Sequence, residues 1–214
     1  MKNKLLALFL CSLTSSVWAA STVDLTVKGT LTNSACTPTL SNGGVVDFGK
    51  TSLSTLTATG DNALRAKTIT LTITCDAATT VGFVVDDNRA DSVSTASSYN
   101  FGMGKTAGGV NLGYYKITAT TSPMADGVAG IIISSNKTML DDNSWVKGMI
   151  ASGIQPEAYV YSVSKTDSNP AVPTAFKVGV FDLSIAPYIQ GTDTLNITDD
   201  TELDGLATIS VLYL

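Results

Sequence analysis

Between residues 67 and 75 the chain alternates without a break. Ile69, Leu71, Ile73 and Cys75 fall on one parity, and Thr68, Thr70, Thr72 and Thr74 on the other. A period of two with β-branched residues fits a strand with one buried face, because successive side chains in a strand point to opposite sides. The same alternation sets Val23, Leu25 and Val27 against Asp24, Thr26 and Lys28. Further stretches with strand character are residues 45–48, 81–85, 114–120, 130–134, 158–163, 176–185 and 207–214. Turn-forming residues separate them, such as Asn42, Gly43 and Gly44, or Ala107, Gly108 and Gly109. Within 176–185 the parity switches: Phe176, Val178 and Val180 share one face, while Phe181, Leu183 and Ile185 share the other. Either a β-bulge near Val180 or burial on both faces accounts for that. No stretch combines helical periodicity with caps. Short strands and turn-rich spacers predict an all-β sandwich.

The amino terminus reads as an export signal. Lys2 and Lys4 precede an apolar run from Leu5 to Leu13, and Val17 and Ala19 occupy the −3 and −1 positions for cleavage before Ala20. A membrane span needs roughly 18 or more apolar residues, about twice this run. Residues 1–19 are thus expected to be a signal peptide and the mature chain to be exported. Residues 20–28 then form an extension, and 29–214 a single domain. Residues 165–173 are the best candidate for an internal boundary, although a polar loop within one domain explains them equally well. The signal holds two of the 13 basic residues and no acid, leaving 11 basic against 18 acidic. That balance argues against nucleic acid or anionic lipid as a partner, since both demand a basic patch. Of three cysteines, Cys11 lies in the signal. Cys36 and Cys75 remain as one expected disulfide, and they lack the C-x-x-C spacing of a redox pair.

Catalytic patterns are thin. The chain contains no histidine, which removes Ser-His-Asp and Cys-His chemistry together with imidazole metal sites. Ser134 with Lys137, and Ser162 with Lys165, have S-x-x-K spacing without the companion motifs of penicillin-binding enzymes. Gly44 to Thr51 spells a P-loop, yet its interior of Val45, Val46, Asp47 and Phe48 favours a strand, and a poor helix follows. Gly102, Gly104 and Ala107 fit G-x-G-x-x-A outside any βαβ unit, which suits a glycine-rich hairpin connection better. Asp199, Asp200, Glu202 and Asp204 could bind calcium but lack EF-hand spacing; a solvated turn is the plainer account. Trp145, Tyr114, Tyr115, Tyr159 and Tyr161 could line a sugar-binding face, or serve as core and half-buried strand residues. No enzyme activity, cofactor or metal is expected.

The two ends carry a resemblance. Gly29, Thr30, Leu31, Thr32, Asn33, Ser34, Ala35 and Cys36, then Val46, Asp47, Phe48 and Gly49, then a strand ending at Cys75, resemble the amino-terminal half of chaperone–usher fimbrial subunits. The closing alternation of Ala207, Ile209, Val211 and penultimate Tyr213 before Leu214 is similar to their terminal strand. With Phe101, Gly102, Met103 and Gly104, the chain looks closest to the fimbrial-like periplasmic branch. The resemblance implies an immunoglobulin-like, pilin-type sandwich lacking its last strand, hence an apolar groove with unpaired edges that invites strand addition. It implies a periplasmic chaperone, an outer-membrane usher and neighbouring fimbrial subunits as partners. It also implies passage through the periplasm to a cell-surface fimbrium. Ile209, Val211, Tyr213 and the Leu214 carboxylate would meet the chaperone. Val23, Leu25 and Val27 would be the donated strand; the competing reading puts them in the chain's own sandwich. A self-contained periplasmic binding or accessory protein is the alternative function on the same fold.

Overall fold

The computed structural model describes residues 26–28, 35–119, 122–141, 144–148 and 153–214. The chain divides into two units, 1–32 and 33–214. Of the first, residues 26–28 are described, without regular structure and exposed. The expected signal peptide, Val23 and Leu25 lie outside the described residues. The second unit runs through β1 (Cys36–Leu40), β2 (Asn62–Ala63), β3 (Lys67–Thr79), β4 (Val81–Asp87), β5 (Phe101–Gly102), β6 (Gly113–Ala119), β7 (Met124–Ala125) and β8 (Val128–Ala129). It continues through β9 (Ile131–Asn136), β10 (Val146–Lys147), β11 (Tyr159–Ser164), β12 (Phe176–Ile189), a one-turn helix (Thr192–Leu195) and β13 (Ala207–Tyr213).

These strands form two antiparallel sheets. The first has the order β1-β3-β12-β6-β5, with β2 and β7 also on β12 and β8 on β7; the second has the order β10-β9-β11-β4-β13. The fold is an all-β sandwich, as expected. Its core lies where the inward parities of both sheets meet. On β3 the predicted face is the buried one: Ile69, Leu71, Ile73 and Cys75 are buried and the threonines are not. Beside them in the same sheet β12 supplies Phe181 and Leu183, and opposite them β4 supplies Val81, Phe83 and Val85. Phe83 and Phe181 bridge the sheets edge to face, with ring centroids 5.0 Å apart, an arrangement the ring quadrupoles favour.

β4 is buried on both faces because a second, smaller apolar cluster covers the outside of its sheet. Val84 packs there with Ile133, Trp145, Val160 and Ala171. Ala171 lies within 165–173, so that stretch is a loop folded against the sheet, tied by the Ala171 N–H to the Trp145 carbonyl at 3.0 Å.

Two sequence expectations need correction. Residues 45–48 form no strand; Val45 to Lys50 run without regular structure after a turn in which Asn42, Gly43 and Gly44 all take positive φ. Val46 and Phe48 are half-buried, but with no neighbouring strand among the described residues to complete a ladder the stretch cannot register as a strand however suitable its residues are. The parity switch in β12 is a bulge, and it sits between Phe176 and Val178 rather than near Val180. Phe176 and Phe181 can therefore both enter the core.

Candidate functional site

The edge strands β1 and β13 belong to different sheets but border the same side of the core. Backbone parity tells what each edge presents. Asn88 N–H donates to the Leu206 carbonyl at 3.0 Å, and Leu214 N–H to the Thr80 carbonyl at 3.1 Å. Bonded pairs in an antiparallel ladder recur at every second residue, and the register Thr208↔Asp86, Ser210↔Val84, Leu212↔Gly82 keeps that parity. The main-chain groups of Ala207, Ile209, Val211 and Tyr213 consequently point away from β4. Among the described residues no strand pairs with them.

β1 is a poorer edge. Asp76 N–H donates to the Ala35 carbonyl at 3.0 Å, so Thr37 and Thr39 face β3 and residues 36, 38 and 40 face outward. Pro38 has no N–H to donate, as suits an edge strand. The Cys36 N–H is already taken, donating to the Tyr213 hydroxyl oxygen at 2.8 Å. Among the described residues, Leu40 is left with the one outward N–H of the strand that has no such engagement. Tyr213 thus crosses from the end of β13 to the start of β1 and joins the two edges at one end.

Away from that junction the edges part over an apolar groove. A cavity of about 200 Å³ lies between Leu40, Val46 and Phe48 on one lip and Ala207 and Ile209 on the other. A second, of about 390 Å³, adjoins it beside Pro38, Leu71 and Ile209. The core is incompletely covered here: Leu40, Val46, Ile185, Ala207, Ile209 and Val211 pack against it yet stay half-buried. Residues 203–206 bound the far end, where Leu203, Gly205 and Leu206 line the first cavity with Tyr115. Gly205 is needed there, since a Cβ would stand 2.9 Å from the Tyr115 ring. The segment is anchored by the Asp204 N–H to the Met103 carbonyl at 3.0 Å. Arg89 donates to both carboxylate oxygens of Asp204, at 2.9 and 3.1 Å, and this pairing raises the guanidinium above its usual range.

The residues singled out in the sequence fall into clear places. Cys36 and Cys75 form a disulfide between β1 and β3, with an S–S distance of 2.05 Å. Ile209 lines both cavities, Val211 packs half-buried against the core beside them, Tyr213 bridges to β1, and the last residue, Leu214, is 41% exposed. Val27, the described member of the candidate donor set, is exposed. Trp145, Tyr114, Tyr115 and Tyr161 are buried and Tyr159 is half-buried, which makes them packing residues. Burial pushes the Tyr161 phenol up to about 12, and its oxygen accepts the Gln155 N–H at 2.8 Å. Of the four acids considered for calcium, Asp204 is engaged by Arg89 and Asp200 by Lys50. Among the described residues no group of three His, Cys, Asp or Glu side chains could hold a metal ion. Ser162 is buried and donates to the Val81 carbonyl at 2.7 Å. The P-loop spelling from Gly44 to Thr51 is followed by a single 3-10 turn, Leu53–Thr55, and not by an α-helix, and Gly102 belongs to β5, which pairs with β6.

Sequence reasoning did not single out Leu40 or Arg89, and it weighed Asp204 only among the four acids for calcium, not as a partner of Arg89. For Leu40 a signal existed: Pro38 two positions after Cys36 marks an edge strand. For Arg89 and Asp204 none did, because 115 positions separate the pair.

The architecture defines an all-β sandwich whose carboxy-terminal strand forms an open edge over an apolar groove. Residues 25–100 match a family described as a protein of unknown function, DUF1120. The chain is also similar to two proteins of Escherichia coli (strain K12). One is the uncharacterized protein YhcF, 29% identical over 93% of each chain. The other is the protein GltF, 28% identical over all of this chain and 98% of its own. Neither name states an activity, and the similarity to GltF spans both the β13 edge and the disulfide.

Proposed function

We propose that this protein is a fimbrial-like subunit that acts by accepting a strand, not by catalysis. The observation that carries this is the unpaired backbone of Ala207, Ile209, Val211 and Tyr213 above a half-buried apolar groove. An added strand would satisfy those groups while its alternate side chains complete the core, so two stabilising terms arise together. A periplasmic chaperone is the first occupant, meeting Ile209, Val211, Tyr213 and Leu214; an outer-membrane usher then exchanges it for residues 20–28 of a neighbouring subunit. Val23, Leu25 and Val27 are the side chains that would enter the groove. On this reading the chain is exported, passes through the periplasm and ends in a surface fimbrium.

The test is to produce the mature chain in the periplasm, alone and with a chaperone, and to measure soluble yield and oligomeric state. The reading expects dependence on the chaperone, followed by polymerisation that stops when residues 20–28 are deleted. The second reading, a self-contained periplasmic accessory protein, draws support from the Tyr213–Cys36 bond, which already joins the two edges at one end. A stable monomer without a chaperone, with Val23 to Val27 protected from hydrogen exchange, would favour it instead.

A further inference from the structure

The groove is asymmetric along its length and across its width. Across its width, β13 can pair with an incoming strand whereas β1 hardly can: Pro38 lacks a donor and the Cys36 N–H is spent on Tyr213. Along its length, the edge positions of β13 run Ala207, Ile209, Val211 and then Tyr213, whose side chain crosses to β1. Cys36 cannot readily yield at that crossing, since its disulfide to Cys75 ties it to β3, an interior strand of its sheet.

We propose that Tyr213 is a latch that ends the groove, so that the site takes only a short strand, residues 20–28 of a second copy, paired to β13 alone. This rests on the strand-acceptor reading above and assigns the length and partner edge of that same site. From Ala207 to Val211 is four residue steps, about 13 Å at roughly 3.3 Å per step. Val23 to Val27 is also four steps, with three apolar side chains on one parity. The side chain after Val27 on that parity would be Gly29, which brings nothing to bury. A strand long enough to pass Val211 would have to displace the Tyr213 hydroxyl from Cys36 and part the two edges.

Two synthetic peptides, residues 20–28 and residues 20–34, distinguish the cases when added to the mature chain. Hydrogen exchange is followed at the N–H groups of Ile209, Val211 and Tyr213, and affinities are measured alongside. Both peptides should slow exchange at Ile209 and Val211 at least about tenfold, leave Tyr213 unchanged, and bind within about twofold of each other. In Tyr213→Phe, which keeps the ring and loses the hydroxyl, the longer peptide should gain at least about fivefold and extend protection to Tyr213→Phe's own amide. Protection that reaches Tyr213 in the unsubstituted chain overturns the latch alone, and that arm decides even if the variant does not fold. Equal responses of variant and parent overturn it too. If neither peptide slows Ile209 or Val211, the strand-acceptor reading falls and the latch falls with it.

Discussion

The core has a closed side and an open side, built from the same kinds of residue. On the closed side Leu71, Phe83 and Phe181 lie between interior strands and are at most 1% exposed. On the open side Ile209 and Val211 carry similar apolar bulk but remain half-buried, because β13 has a neighbour on one edge only among the described residues. Apolar stabilisation follows the area removed from water, so the open side contributes less than its composition would suggest.

The comparison is broken most directly by truncating one residue on each side. Phe83→Ala should cost about 3–5 kcal/mol by urea unfolding, as a large buried side chain leaves a cavity. Ile209→Ala should cost about 1–2 kcal/mol in the uncovered chain, below the range for a fully buried isoleucine. Repeating both with the 20–28 peptide bound should narrow the gap; equal costs without the peptide would mean that the two sides do not differ. Replacing Cys36 and Cys75 by serine opens a loop with a sequence separation of 39. The chain-entropy model puts the loss on the order of 4 kcal/mol, and it should also loosen the β1 lip, read as faster exchange at Cys36→Ser's amide.

Smaller effects sharpen the picture at the far end of the groove. Arg89→Ala removes both bonds to Asp204. Because the pair is solvent-accessible, melting should move little, while the Asp204 amide bonded to Met103 should exchange faster. A charge-swapped double variant should restore part of that protection. The smallest effect concerns acid. Asp126 accepts the N–H groups of Lys177 and Val178 at 2.9 and 2.8 Å, and chiefly the Val178 bond holds its carboxyl below the usual range. A depressed folded value means the stabilisation is present above the unfolded value, about 3.9 for aspartate, and is lost as pH falls through the folded one. Asp126→Asn should therefore flatten a shallow loss of stability confined to below about pH 4, visible in melting curves taken across that window.

Much of the fold was legible. The unbroken alternation of β3 named its buried face, and the closing alternation named Ile209, Val211 and Tyr213 as one parity of β13. Period two survives because a strand has no other way to separate its faces. Residues 45–48 misled for the complementary reason: apolar, β-branched side chains suit a strand, but a ladder requires a partner that local sequence does not specify. The bulge in β12 was legible as a parity switch and misplaced by a few residues, since alternation constrains which faces are buried more tightly than where the extra residue sits.

The groove was legible only as an implication of resemblance, and its ends not at all. By itself the sequence determined the strand character of the chain, the inward parity of its two clearest strands and the cysteine pair, because each is carried by side-chain pattern or by count. Tertiary structure alone decided that β1 and β13 are edges of different sheets facing one groove. It alone brought the Tyr213 hydroxyl to the Cys36 N–H and the Arg89 guanidinium to Asp204. Those contacts join positions 177 and 115 residues apart, and such pairings follow from how whole sheets stack, a property no local pattern encodes.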